Sequence, residues 1–159
     1  MPALSPHDVA VIVVHAALAA VGGWLVVIDA REHRLPNRIV LPALGALVTL
    51  AIVDGLATGD TGRMLRALTG GLALGVFYAV MHLASRQGLG GGDVKLAAAL
   101  GVLLAWHGWT TLLLGAAGAF LLGALFALML MALRRADRRT RIAFGPWMIL
   151  GAALAITAS

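Results

Sequence analysis

Apolar residues gather into six runs, at 9–28, 39–53, 64–84, 94–106, 110–133 and 142–157. A helix that crosses a membrane needs about 20 mostly apolar residues, within a range of roughly 17–25. The first, third and fifth runs meet that length. The second and sixth fall slightly short. The fourth is well short, which predicts a helix that starts below the membrane surface or extends beyond it. The breaks between runs are brief and differ in character. Residues 29–38 are charged and contain Pro36-Asn37; residues 54–63 hold Gly55, Gly59 and Gly62; residues 85–93 are glycine-rich; His107-Gly108-Trp109 forms a tight turn; residues 134–141 are strongly basic. No break could hold a second domain, and no internal repeat is evident. The expected fold is all-α: a polytopic membrane protein of about six transmembrane helices, in one domain over residues 1–159.

Composition strengthens this reading. Of the 159 residues, 61% are hydrophobic and 12% charged, where soluble domains carry roughly 25% charged residues. A soluble fold of this size could not hide so much apolar surface, so the partner implied is a lipid bilayer. The first eight residues contain no Lys or Arg, so the first run reads as a retained helix rather than a signal peptide. The chain has no cysteine, which excludes a disulfide framework and any Cys-ligated zinc or iron–sulfur site.

The formal charge of +5 would raise nucleic-acid binding in a soluble protein. Here the basic residues sit in short breaks and no aromatic-interleaved recognition pattern accompanies them, so no nucleic-acid partner is expected. Their distribution sets orientation instead. If the chain starts outside, the inner loops, counted as 29–38, 85–95 and 134–141, hold Arg31, Arg34, Arg38, Arg86, Lys95, Arg134, Arg135, Arg138, Arg139 and Arg141, and the outer side holds only Arg63 and Arg66. That bias puts the arginine-rich breaks on the cytoplasmic side and both termini outside. Small residues recur at four-residue spacing, at Gly71 and Gly75 and again at Gly115, Ala119 and Gly123. They predict close helix packing within the chain. Trp106 and Trp109 flank an outer turn, as interfacial aromatics do.

Seven acidic residues are present. Asp8, Asp54 and Asp60 fall on the outer side of this topology, and Glu32 and Asp137 lie among arginines in inner breaks, where solvated ion pairing is the plain reading. Asp29 and Asp93 differ. Asp29 directly follows Val26-Val27-Ile28 at the inner end of the first helix. Asp93 follows Gly90-Gly91-Gly92 and opens the fourth helix, so both lie at similar depth on one side. Ionisable groups at membrane depth are costly and point to function. Each also has a plain structural reading: Asp93 as a helix N-cap, Asp29 as the first residue of a loop. Two carboxylates brought together can share one proton. One then acts as general base on a water while the protonated one polarises a scissile carbonyl, with no metal, cofactor or covalent intermediate. His7, His15, His33, His82 and His107 are scattered and form no rival site; His15 and His82, inside helices, read as packed or hydrogen-bonded. Gly88, Gly90, Gly91 and Gly92 would permit positive φ and close approach of a substrate strand. A glycine-rich loop opening a helix can also bind phosphate, but the Walker spacing is absent and Asp93 would repel an anion.

The run Gly88-Leu89-Gly90-Gly91-Gly92-Asp93-Val94-Lys95-Leu96-Ala97-Ala98-Ala99-Leu100-Gly101 resembles the signature segment of type IV prepilin peptidases, a class of membrane aspartyl proteases marked by a Gly-x-Gly-Asp motif, here Gly90, Gly92 and Asp93. Asp29 followed by Leu35-Pro36-Asn37 resembles the family's first catalytic aspartate and its Ile-Pro-Asn loop, with Leu35 in place of isoleucine. Phe144-Gly145-Pro146 resembles the family's Pro-Phe-Gly-Pro segment, with Ala143 where the first proline is expected. The resemblance implies that Asp29 and Asp93 are the catalytic pair of an aspartic endopeptidase in the bacterial inner membrane. It implies cleavage at the cytoplasmic face of prepilin-like precursors, which carry a short basic leader ahead of a hydrophobic helix. Gly90, Gly92, Lys95, Pro36, Asn37, Phe144, Gly145 and Pro146 are then site-shaping or substrate-binding residues. Larger members carry an N-terminal domain with paired Cys-x-x-Cys motifs associated with N-methylation. This cysteine-free chain resembles the short, peptidase-only branch, so no methyl transfer is expected. Three rival readings use the same residues: a proton-coupled transport protein relaying through the two aspartates, a noncatalytic scaffold of a pilus or secretion machine, and a related protease acting on preflagellin-like proteins.

Overall fold

The structure, a computed structural model, describes residues 16–17, 20–29, 36–84, 89–134 and 143–159. Every regular element among them is an α-helix. The helices are α1 (Ala20–Asp29), α2 (Asn37–Thr58), α3 (Thr61–Ala84), α4 (Gly91–His107), α5 (Trp109–Ala132) and α6 (Gly145–Thr157). Three of them, α2, α3 and α5, are long and apolar enough to cross a membrane. The N-terminal half of the first apolar run, with His15, lies outside the described residues, as do Arg31, Arg34, Leu35, Arg86, Gly88 and the arginines at 135–141.

The second run was expected to be slightly short, yet α2 extends five residues beyond it, through Asp54 and Gly55 to Thr58. The turn comes only at Gly59, whose φ of 73° is left-handed, as a helix C-cap requires. Gly55 lies where α2 and α3 cross: a Cβ there would stand 2.5 Å from Met64 Cβ. Asp54 is therefore a helical residue near the end of α2, not part of a loop.

α4 is the centre of the bundle, packing against α2, α3, α5 and α6. A helix that is apolar all round belongs in such a position. Leu96, Ala97, Ala99, Gly101, Val102, Leu104 and Ala105 are all buried. Its approach to α3 is set by glycine: a Cβ on Gly101 would lie 2.6 Å from Gly70 O, and one on Gly71 would collide with Val102. α5 and α6 meet in the same way, with Gly151 against Ala119 N and Gly115 O. The small residues predicted to mediate packing thus serve contacts within the chain. By contrast, Leu56, Leu72 and Leu83 point outward, Leu83 being 81% exposed, as lipid-facing positions do. Hydroxyls in the long helices are satisfied locally: Thr49, Thr58 and Thr69 each donate to the carbonyl four residues earlier, which removes the cost of an unpaired group in hydrocarbon.

One cluster draws on every helix: Leu25, Val40, Leu74, Tyr78, Leu96, Ala97, Ala119 and Met148. At the opposite end, Arg66 donates from Nε to Ala105 O at 2.8 Å and from a terminal nitrogen to Trp106 O at 3.2 Å. It thereby satisfies carbonyls that the end of α4 leaves open. Arg63 pairs with Asp60 at 3.3 Å and lies over the Trp106 ring. Both cations at this end therefore have local structural work.

Candidate active site

The helix polarity places the last residue of α1, the first residues of α2, α4 and α6, and the last turn of α3 at one end of the bundle. Asp29 is 4% exposed and Asp93 8%; with Thr111 they are the buried polar residues among those described. Asp93 sits two residues inside α4, whose N-cap is Gly90, so it is not the N-cap itself. It closes a reciprocal pair instead. Its backbone N–H donates to Gly90 O at 3.1 Å, and its Oδ2 accepts from Gly90 N–H at 3.0 Å. This meets the open amides of the helix start and fixes the carboxylate relative to the glycine segment.

The freedom to take positive φ is not used at Gly90, Gly91 or Gly92, and Gly88 lies outside the described residues. Gly90 is extended (φ −77°, ψ 149°), Gly91 and Gly92 are helical, and among the described glycines only Gly59 and Gly108 have positive φ. The glycines leave space instead: nothing lies within 4 Å of where a Cβ on Gly91 would stand. The backbone beside Asp93 is bare.

Asp29 meets the other short helix. Its Oδ2 accepts from the backbone N–H of Gly145, the first residue of α6, at 3.1 Å in a buried setting. A carboxylate at a helix N-terminus is favoured by the open amides and the helix dipole. Pro146 follows within the first turn, where its missing N–H costs nothing. Phe144, the N-cap of α6, packs at a tilt against Phe120 (5.3 Å between centroids) and Tyr78 (6.1 Å). Asp29 and Asp93 lie within electrostatic reach of one another, and Asp93 also feels His82. The two carboxylates are thus brought into one site, each held by the amide of a helix start.

Pro36 caps α2, its carbonyl accepting from Ile39 and Val40. Asn37 then presents Oδ1 to Lys95 Nζ at 2.7 Å. This bond ties the Pro-Asn segment to the helix that carries Asp93. Gly90, Gly92, Lys95, Pro36, Asn37, Phe144, Gly145 and Pro146 accordingly share one end of the bundle.

Sequence reasoning passed over Tyr78. It is 1% exposed and its hydroxyl interacts electrostatically with Asp93. Its ring lies among Phe77, Phe120 and Phe144. The available signal was that this is the single tyrosine of the chain, inside an otherwise apolar stretch and one helical turn before His82. Tyr78 lies below the end of α3: six residues of the helix follow it, about 9 Å. Among the described residues, no three His, Asp or Glu side chains gather as a metal-binding group.

Known proteins supply the context for this arrangement. Residues 16–132 match the model of the type IV leader peptidase family. The chain is 35% identical over 130 residues to a prepilin leader peptidase/N-methyltransferase of Pseudomonas aeruginosa, covering 81% of this chain and 43% of that protein. The namesake from Escherichia coli K12 is 37% identical over 127 residues, covering 80% and 55%. That from Pectobacterium carotovorum is 35% identical over 130 residues, covering 80% and 44%. The chain thus spans about half the length of these relatives. No solved structure matches it. With a buried aspartate at each of two helix starts and the family match running through most of its helices, the chain belongs to the type IV leader peptidase family.

Proposed function

We propose that this chain is an aspartic endopeptidase of the bacterial inner membrane that removes the basic leader from prepilin-like precursors at the cytoplasmic face. The observation that carries the reading is the meeting of Asp29 and Asp93, buried, at one end of the bundle, each bonded to the amide of a helix start. Family membership supports the substrate class. The placement of ten of the twelve basic residues within 29–38, 85–95 and 134–141 supports the cytoplasmic side.

The two carboxylates share one proton between them. The ionised member takes a proton from a water, whose oxygen forms a bond to the scissile carbonyl carbon. The protonated member hydrogen-bonds to the carbonyl oxygen as negative charge develops there. The tetrahedral intermediate collapses, the C–N bond breaks, and the leaving amine takes up the proton gained by the base. Lys95 and Asn37 hold the α2 start against α4. The bare backbone at Gly91 admits an extended substrate strand beside Asp93. The 159 residues hold no cysteine and so none of the Cys-x-x-Cys pairs linked to methylation.

The test is cleavage of a prepilin from the same genome in detergent or membranes, read by product mass. Wild type removes the leader and leaves an unmethylated N-terminus; Asp29→Asn and Asp93→Asn leave the precursor intact. Full activity in either variant overturns the paired-carboxylate mechanism. A wild type that cuts no precursor returns the scaffold and transport readings.

A further inference from the structure

His82 lies in the last turn of α3, outside the residues given a role so far. A histidine there commonly hydrogen-bonds its own helix's last carbonyls. This one reaches forward instead: its Nδ1 is 2.6 Å from Leu89 O, seven residues on. A carbonyl oxygen only accepts, so Nδ1 carries the proton and donates, in the neutral ring and the imidazolium alike. The other end of the same peptide unit is the N–H of Gly90, which donates to Asp93 Oδ2 at 3.0 Å. One peptide group is therefore bonded at both ends, to an imidazole through its oxygen and to a carboxylate through its nitrogen. A donor on the oxygen draws electron density along the amide and makes its N–H a stronger donor, the mutual polarisation expected of hydrogen-bond chains. His82 and Asp93 also interact electrostatically.

We propose that His82 is a positioning residue for Asp93, fixing its carboxylate through the Leu89–Gly90 peptide. The inference rests on the role given to Asp93 in the proposed function. It assigns His82 no contact with substrate. It predicts that losing the imidazole lowers turnover through Asp93 and leaves substrate binding nearly untouched.

The experiment uses the full chain in nanodiscs with a prepilin substrate, comparing wild type with His82→Ala, His82→Asn and His82→Gln. An Asn amide places an N–H near the position of Nδ1, whereas a Gln amide reaches toward that of Nε2. The expected result is a kcat about tenfold lower in His82→Ala with KM within about twofold, the pattern of a group acting on the transition state. His82→Asn recovers to within about threefold of wild type and His82→Gln stays low, a contrast that remains decisive where His82→Ala does not fold. Hydrogen exchange at the Gly90 amide supplies a readout independent of cleavage. It should rise by about three- to tenfold in His82→Ala and His82→Gln and return in His82→Asn. Wild-type kcat in His82→Ala or His82→Gln, equal loss in His82→Asn and His82→Gln, or unchanged Gly90 exchange overturns the proposal. Asp93→Asn in the same assay separates the two readings. If it is inactive while His82→Ala is fully active, only the His82 inference falls. If it cuts normally, the paired-carboxylate reading falls as well.

Discussion

Asp29 ends α1 and its carboxylate caps the first amide of α6, at Gly145, 116 residues further along the chain. The contact joins the two ends of the described fold at the level of the second aspartate. It also gives Asp29 a structural part that can be separated from a chemical one.

Asparagine at position 29 keeps an oxygen for Gly145 N–H but cannot act as base or acid. Asp29→Asn should unfold near the wild-type temperature while cleavage falls by about a hundredfold or more. Asp29→Ala strands the buried amide and should also lower stability by about 1–3 kcal/mol. Thermal unfolding in detergent, run beside the cleavage assay, distinguishes the two effects.

Tyr78 permits a similar separation. Tyr78→Phe keeps the ring that packs on Phe120 and Phe144 and removes the hydroxyl that interacts with Asp93. Unfolding should be nearly unchanged and kcat lower, because the hydroxyl no longer acts on Asp93. An unchanged kcat would confine Tyr78 to packing.

The Lys95–Asn37 bond crosses between α4 and α2. A double-mutant cycle with Lys95→Met and Asn37→Leu should give a coupling energy in stability of about 0.5–1.5 kcal/mol. Additive single effects would show that the two segments are held together by other contacts.

Two glycines of one helix should respond in opposite ways. Gly101→Ala forces a methyl against Gly70 O and Gly71 Cα, at 2.6 and 2.9 Å, and should cost about 1–3 kcal/mol of stability. Gly91→Ala meets nothing within 4 Å and lies in a helical turn, so its unfolding temperature should hold or rise. If a substrate strand lies over Gly91, kcat/KM falls in Gly91→Ala without a loss of stability. Measuring both variants by unfolding and by cleavage tests packing and access separately.

The helices were readable from the sequence to the extent that their signal is local. The apolar runs locate α2 to α6, although α4, at 17 residues, extends beyond both ends of the fourth run. The reading fell short where a neighbour decides. Asp54-Gly55 looks like a break, but the helix continues because Gly55 is the crossing point with α3 at Met64. Gly90 to Gly92 could take positive φ, but beside the reciprocal pair between Asp93 and Gly90 they form an extended residue and a helix start. His82 was read as packed or hydrogen-bonded; the bond is present, but its acceptor belongs to the peptide that also holds Asp93.

By itself the sequence determined that this is an all-α membrane chain, through the length and apolarity of its runs. It also singled out Asp29 and Asp93, because charged groups beside such runs are expensive and few. Only the tertiary structure decided which backbone amide each carboxylate meets, that Tyr78 and His82 join them, and that Lys95 reaches Asn37. Those contacts depend on how closely α3 approaches α4 and α5 approaches α6. That approach is set by glycines whose partners lie far away in the chain, where no local period can indicate them.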